Sequence, residues 1–542
     1  MIPSTIHTGR IPGRARLYLD VLYDPDRTGA FYLWPHATLG AFQCCARRLD
    51  HPVVGRRVAA AMLVRQNGEF GAPPAAIAAA QELAGERAVV IFTGQQAGLF
   101  GGPLYTIYKS ITLLSWAARL REMLDRPVIP IFWIAADDHD FEEIRWAGLP
   151  DTQNQVRRLV LKPDHIAPRA PAAQVHLGSE IASVLAELHD AQLKTEFSDV
   201  IEAALRDDYA PGRTMVQAFG RWMTRILGPH GLVLFNPADA EAKALAAPLV
   251  AEEIDGHALT AAALSENGQR LEESGYHRQV SHPEGHTHLF HIRNGRHAIR
   301  ADSNGLWTDP ERKPHDVAVW QQRLHEDPSS FSPGVLLRPV VQSYLFPVVA
   351  AVCGPSEIAY WAQSRSLFDR FGVTMPVVLP RSSATVIEQK IRSAVNGLGH
   401  EIPEFFGDIE ALINRHFERS FPSGLAGRFA AEKKQWEERL AQLKESVVAF
   451  EPTLDKTFEV DAGRIASSWD HLEKKVFQAH KRKGEEIRAK FYKLAAHLYP
   501  EGRPQERVFN ITYYLNKYGF DFLSSVRRQL AIGTHDHQLI EP

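Results

Sequence analysis

The sequence predicts an α/β protein with a mostly parallel sheet, followed by a C-terminal helical coiled coil. Three observations carry this. Short apolar runs rich in β-branched residues end in glycine or polar clusters and alternate with helical segments. A glycine-rich loop joins the first of these runs to an amphipathic segment. In the last third of the chain, apolar residues step by 4 and 3, the seam of a coiled coil.

Residues 1 to 85 read as mostly helical, with an alanine-rich stretch in PPAAIAAAQELAG. RAVVIFTG then predicts a buried strand near 88–93. The loop in FTGQQAGLFGGPLYTIYK follows, after which Leu104, Ile107, Ile111, Leu114 and Ala118 continue at helical spacing. PVIPIFWIAA predicts the next strand, near 128–135. Strand, loop, helix and strand make a βαβ unit, which requires a parallel sheet and a right-handed crossover. GLVLFNP (231–237), LFPVVAAVCG (345–354) and VTMPVVLP (373–380) add three strands to the same sheet. Two stretches read as insertions into a core spanning 1–385. The first, about 151–225, is largely helical and polar. The second, about 251–330, contains the hairpin HTHLFHIRNGRHAIR, whose Asn-Gly pair marks the turn.

In QWEERLAQLKESVVAFEPTL, the residues Trp436, Leu440, Leu443, Val447, Phe450 and Leu454 form one seam, and Pro452 ends that helix. A second seam runs through Ile465, Trp469, Leu472, Val476 and Ala479, slips near Lys483, and resumes at Ile487, Phe491, Leu494 and Leu498. The two helices should fold back as an antiparallel hairpin within 386–500, with apolar surface left for a second copy of the chain. A two-fold homodimer is the simplest closure. Residues 501–542 are expected to pack back on the core.

The composition narrows the function classes. A chain of 542 residues is too long for one ordinary core. Its 45% hydrophobic and 23% charged residues are those of a soluble globular protein. A net charge of −3 gives no field toward nucleic acid or an anionic membrane, and neither is expected as a partner. No stretch approaches the ~18 apolar residues of a membrane helix. The opening MIPSTIHTGRIPGRARLYLD lacks the apolar centre of a secretory signal. The three cysteines are Cys44, Cys45 and Cys353, and a bridge between the adjacent pair would be strained. A reduced, cytoplasmic location fits. No CxxC or HExxH spacing occurs, so a zinc site is not expected and no metal is assigned from such motifs. The densest histidine patch, HPEGHTHLFH at 282–291, reads as a solvated hairpin face.

Candidate site residues gather at strand ends, where parallel sheets bind ligands. Gly94, Gly98, Gly101 and Gly102 would let backbone approach a ligand, and Gln95 and Gln96 can both donate and accept. Pro103 stands where a first helical residue would, so the free N–H groups of that helix start suit an anion. Tyr105 and Lys109 follow on the helix, the lysine as a countercharge. ADDHDFEEI ends the next strand, and three roles are open for Asp137, Asp138, His139 and Asp140: metal binding, acid/base or amine-binding work, and plain helix capping. LLRPVVQSYLFP offers Arg338, Gln342 and Tyr344; CGPSEIAYW offers Gly354, Ser356, Glu357 and Trp361; LPRSSA offers Arg381. Cys353 reads as a small buried residue rather than a nucleophile. Polar residues at four strand ends point to one shared crevice.

In order along nearly the whole chain, TGQQAGLFGGPLYTIYK, PVIPIFWIAADDHDFEEI, LLRPVVQSYLFP, GPSEIAYW, MPVVLPRSSAT and PQERVFNITYYLNKYG resemble the BshC family, the cysteine-adding enzymes of bacillithiol biosynthesis. The resemblance implies a Rossmann-like core similar to class I aminoacyl-tRNA synthetases, with connecting-peptide insertions and a coiled coil that supports dimerisation. It implies a ligase that joins the carboxyl of L-cysteine to the amine of glucosaminyl malate, the last step of bacillithiol biosynthesis. ATP, or ADP left bound, is the nucleotide it brings into view. Under this resemblance Arg338 and Arg381 suit the malate carboxylates. Asp138, His139 and Asp140 form the catalytic group, with Asp138 or Asp140 binding the ammonium of cysteine or taking a proton from the attacking amine. Two other readings stay open: another nucleotide-dependent amino acid or amino-sugar ligase, and a non-catalytic coiled-coil scaffold.

Overall fold

Five apolar runs form one parallel sheet in the computed structural model, which describes residues 4–163, 166–281, 283, 285–309, 311–420 and 423–542. The strands are β1 (Val89–Gln95), β2 (Val128–Ile134), β3 (Val233–Phe235), β4 (Val348–Cys353) and β5 (Val377–Pro380). Their order is β5-β4-β1-β2-β3, and every neighbouring pair is parallel. The chain builds outward from β1 to β3, then crosses back to lay β4 and β5 on the other side of β1. The order therefore reverses between β1 and β4.

Every residue of β2 and β4 is buried, because helices cover both faces of the sheet. Side chains of β2 alternate between two cores. Phe132 and Ile134 pack with Ile107, Ile111 and Leu114 of α1 (Leu104–Leu124). Ile129, Ile131 and Trp133 pack with residues of α2 (Ala240–Glu273), α3 (Arg338–Leu345) and α4 (Pro355–Arg370).

Two readings of the insertions change. The stretch 151–225 is not polar throughout: the helix Met215–Leu227 buries Phe219, Trp222 and Met223 in the core shared with α1. The histidine patch is not a solvated face. Its hairpin turns at Asn294-Gly295, but it belongs to a four-stranded antiparallel sheet that packs on α2. His288 and His291 are buried, and the His291 ring lies edge-on to Trp320. Burial and the nearby Arg323 pull the His291 ring down to about 4. His282 and Glu284 of the patch lie outside the described residues.

The chain divides into two units, Met1–Gln389 with Arg503–Pro542, and Lys390–Gly502. In the first, the strand His537–Ile540 pairs with Ser4–Ile6 and Ala384–Val386. In the second, α5 (Ser423–Phe450) and α6 (Asp455–Lys483) run antiparallel. Lys433 meets Asp470, Lys444 meets Asp455 and Glu459, and Trp436 meets Trp469. Gly484, one residue past the predicted slip, separates α6 from α7 (Glu485–Leu498). The Lys483 side chain lies outside the described residues. Leu443, Phe450, Leu454, Ile465 and Leu472 of the seams are exposed. Among the described residues, no helix is long and apolar enough to cross a membrane.

Candidate active site

A crevice of about 300 Å³ opens at the carboxyl ends of β1 and β4, where the strand order reverses. Gly94, Gln95 and Gln96 line it from β1 and its end, and Tyr105 and Lys109 from α1. Asp138 enters after β2, Arg338 and Gln342 from α3, and Arg381 after β5. Gly354, Ser356, Glu357 and Trp361 form the wall where β4 gives way to α4. Gly98, Gly101, Gly102, Asp137, His139, Asp140 and Tyr344 lie outside that wall.

The second half of the glycine loop is built for packing. A Cβ on Gly98 would stand 2.7 Å from the Gly102 Cα. Gly101 has φ +90, and its Cβ would meet the Trp222 indole at 3.2 Å. Protein atoms, not a ligand, occupy the space these glycines leave. Phe100 between them adopts φ 53, with its ring edge-on to Tyr209. The buried Asn510 amide donates to the carbonyls of Leu99, Phe100 and Gly102. Pro103 is extended and caps α1 instead of opening it, because it bridges to Asn510. The first helical N–H, on Leu104, is spent on the Phe509 carbonyl at 2.8 Å. Gly94 has a similar cause: a Cβ there would lie 2.9 Å from the Trp133 carbonyl oxygen.

Two expected countercharges are already neutralised. The Lys109 ammonium donates to the Gly94 carbonyl at 2.7 Å and Gln95 Oε1 at 2.9 Å, and pairs with Glu357 at 2.6 Å. That uses its three donors, so it clamps β1 to α4. Burial lowers its pKa, against the pull of Glu357. The Arg381 fork binds Glu506 bidentately at 2.8 and 2.7 Å, and both residues are buried. The carboxylate that the sequence assigns to a substrate is thus supplied by the protein. Burial would raise the Glu506 carboxyl, but Arg381 overrides it and holds it down to about 2.

Among the described residues, the Arg338 guanidinium has no carboxylate partner. Its hydrogen-bond partner among them is the Tyr360 hydroxyl, at 3.1 Å. Asp138 faces it electrostatically. The Asp138 carboxylate accepts from Gln96 Nε2 at 2.9 Å and the Asp140 amide at 3.2 Å. Burial raises its pKa, but the Asp140 amide, Arg296, Gln96 and Arg338 together hold it below the usual range. It is therefore ionised at neutral pH and suits a cation better than a proton.

The remaining acids divide by role. Asp140 caps the turn Phe141–Ile144, accepting from the Glu143 amide at 3.3 Å. His139 turns away, with Nδ1 3.4 Å from Arg296, and burial and that arginine lower its pKa. Asp137 pairs with Lys243 at 2.7 Å. Tyr344 packs against the core of α2 and α4. The sequence reading missed Glu143 and Arg507, both exposed at the crevice rim. Partial burial and the neighbouring Asp140 and Asp138 raise the Glu143 carboxyl, against a lowering influence of Gln96. Both residues lay in motifs already singled out, FEEI and PQERVFN. Cys353 lines the crevice as a buried thiol whose pKa burial pushes well up. Among the described residues, no group of three or more His, Cys, Asp or Glu is placed to hold a metal.

A parallel sheet with a charged crevice at its point of reversal defines a Rossmann-like ligand-binding protein, here joined to a helical hairpin. Residues 5–382 match the model of the bacillithiol biosynthesis BshC N-terminal Rossmann-like domain, and residues 384–542 that of the BshC C-terminal coiled-coil domain. The chain belongs to the BshC family. It is similar to a protein of Salinibacter ruber, 33% identical over 530 residues that cover 97% of this chain and 96% of the relative. A Solibacter usitatus protein is 30% identical over 539 residues, 99% of both chains. One from Geobacillus thermodenitrificans is 31% identical, covering 87% of this chain and 88% of the relative. All three carry the name "Putative cysteine ligase BshC".

Proposed function

We propose that the protein is a cytoplasmic ligase that joins the carboxyl of L-cysteine to the glucosamine amine of glucosaminyl malate, the last step of bacillithiol biosynthesis. The supporting observation is the pairing in one crevice of an uncommitted guanidinium, Arg338, with an ionised carboxylate, Asp138, in a chain of the BshC family. Those two charges complement an amino acid. A carboxylate is a poor electrophile, so amide formation needs an activated carboxyl. ATP is the source of that activation in this proposal, since a guanidinium suits a phosphate as well as a carboxylate. When bound, the nucleotide would supply the leaving group for the cysteine carboxyl. Asp138 holds an ammonium. Glu143, raised and reachable at the rim, takes the proton of the glucosamine amine as nitrogen bonds to the carbonyl carbon and the leaving group departs. With Arg381 committed to Glu506, Arg507 is the guanidinium left for a malate carboxylate. The exposed seam residues Leu443, Phe450 and Leu472 support a homodimer through the hairpin.

The test incubates purified protein with L-cysteine, glucosaminyl malate and ATP and follows the amide by mass spectrometry. Cells lacking the protein should lose bacillithiol and accumulate glucosaminyl malate. A protein that joins a different amino acid or amino sugar, and never this pair, would overturn the reading.

A further inference from the structure

A side chamber of about 130 Å³ adjoins the crevice and shares Trp133, Ala135, Asp138 and Arg338 with it. Its other walls are two buried charged residues, Asp137 and Arg296, and the apolar Pro237, Pro333 and Val335. Asp137 Oδ2 accepts from Lys243 Nζ at 2.7 Å, and Lys243 is anchored on the Phe331 carbonyl at 2.8 Å. Among the described residues, Asp137 Oδ1 is buried and has no hydrogen-bond partner. A buried carboxylate oxygen without a donor is costly, and what it lacks is an N–H or an ammonium.

The opposite demand stands across the chamber. Arg296 is fixed by bonds to Ser332 Oγ and the Pro333 carbonyl, both at 2.9 Å, and lies 3.7 Å from the Phe290 ring centre. Among the described residues, Arg338 is hydrogen-bonded to Tyr360 alone. Among the described residues, neither guanidinium has a carboxylate within 4.0 Å. A simple anion would face the carboxylates of Asp137 and Asp138, and a simple cation would leave Arg338 unpaired. A molecule carrying both charges meets both demands.

We propose that this chamber binds the free amino acid substrate, a small α-amino acid held as its zwitterion. Its ammonium lies against the carboxylates of Asp138 and Asp137, its carboxylate on Arg338, and its side chain against Pro237, Pro333 and Val335. The identification of that amino acid as cysteine rests on the ligase reading above. Arg338 belongs to both cavities, so the carboxyl is presented at the boundary where an amine in the larger crevice can reach it. The small volume selects against longer side chains, and the apolar wall accommodates a thiol.

The test titrates wild-type and Val335→Phe protein calorimetrically with cysteine, serine, alanine and glycine, beside KM measurements and thermal melts. Val335→Phe fills the chamber without touching its charges. It should weaken cysteine binding and raise the cysteine KM by at least about 10-fold, with the glucosaminyl malate KM little changed. Val335→Ala, which enlarges the chamber, should shift preference toward homocysteine. If the Val335→Phe protein binds cysteine normally, or Val335→Ala leaves the preference unchanged, the chamber is not the amino acid site. Absence of binding by the wild type to every amino acid in the panel overturns it equally. If instead one of them binds and Val335→Phe abolishes that binding, yet cysteine and glucosaminyl malate give no amide, the ligase reading falls and the chamber stands.

Discussion

Thr93–Gln95 ends β1 and, with Gln96, lines the crevice, whereas Gly98–Gly102, two residues further on, is buried beneath Trp222, Tyr209 and Asn510. The first half holds one glycine, Gly94, and the second three, Gly98, Gly101 and Gly102, and both connect the same strand to the same helix. In the first, the Gly94 carbonyl and the Gln95 and Gln96 amides organise charged neighbours, Lys109 and Asp138. In the second, the missing side chains admit an indole and a second stretch of backbone. Glycine records that something comes close; it does not say whether that is a ligand or the protein itself.

Substituting the buried half should have the largest effect. Gly98→Val places its Cβ against Gly102 backbone, where nothing flexible can yield, and should cost about 3 kcal/mol or more of stability. A melt close to wild type, with ligand binding lost, would return this half to the site. Asn510→Ala comes next. It strips one side chain from three carbonyls and should cost about 2 kcal/mol, read from the urea midpoint, with the cysteine KM little changed.

The crevice half should behave in the opposite sense. Glu143→Gln should lower kcat about 100-fold with no change in melting. Because the Glu143 carboxyl is raised and must be unprotonated to accept the amine proton, the wild-type rate should fall as pH drops through a limb above the usual carboxylate range. The variant should lack that limb; a profile that keeps it would remove Glu143 as the base. The smallest effect is expected for Gln96→Ala. Losing the amide that donates to Asp138 should reduce kcat/KM about 10-fold and leave stability within error. A large stability loss in Gln96→Ala with a mild one in Gly98→Val would reverse the comparison.

Much of the fold was legible because its signals are local. The runs VVIF, VIPIFWI and VVAAV identified the central strands, since a strand covered on both faces must be apolar at nearly every position. The step of 4 and 3 from Trp436 to Phe450 marked one arm of the hairpin for a similar reason. The insertions were harder. HTHLFHI shows its turn, but nothing in the run says that its face will be covered by α2 and Trp320.

By itself the sequence determined which strands form the sheet, that the polar residues gather at their carboxyl ends, and that Asp138, Arg338 and Gln96 belong to one crevice. Only the tertiary structure decided which charges remain available there. Arg381 and Arg338 look equivalent in sequence, yet one meets Glu506, 125 positions away, and the other meets a tyrosine hydroxyl. Lys109 is spent on Glu357, and Asp137 is half-satisfied by Lys243. The reason is physical: backbone periodicity is set within a few residues, whereas a buried charge must find its counterion wherever the chain brings one within reach.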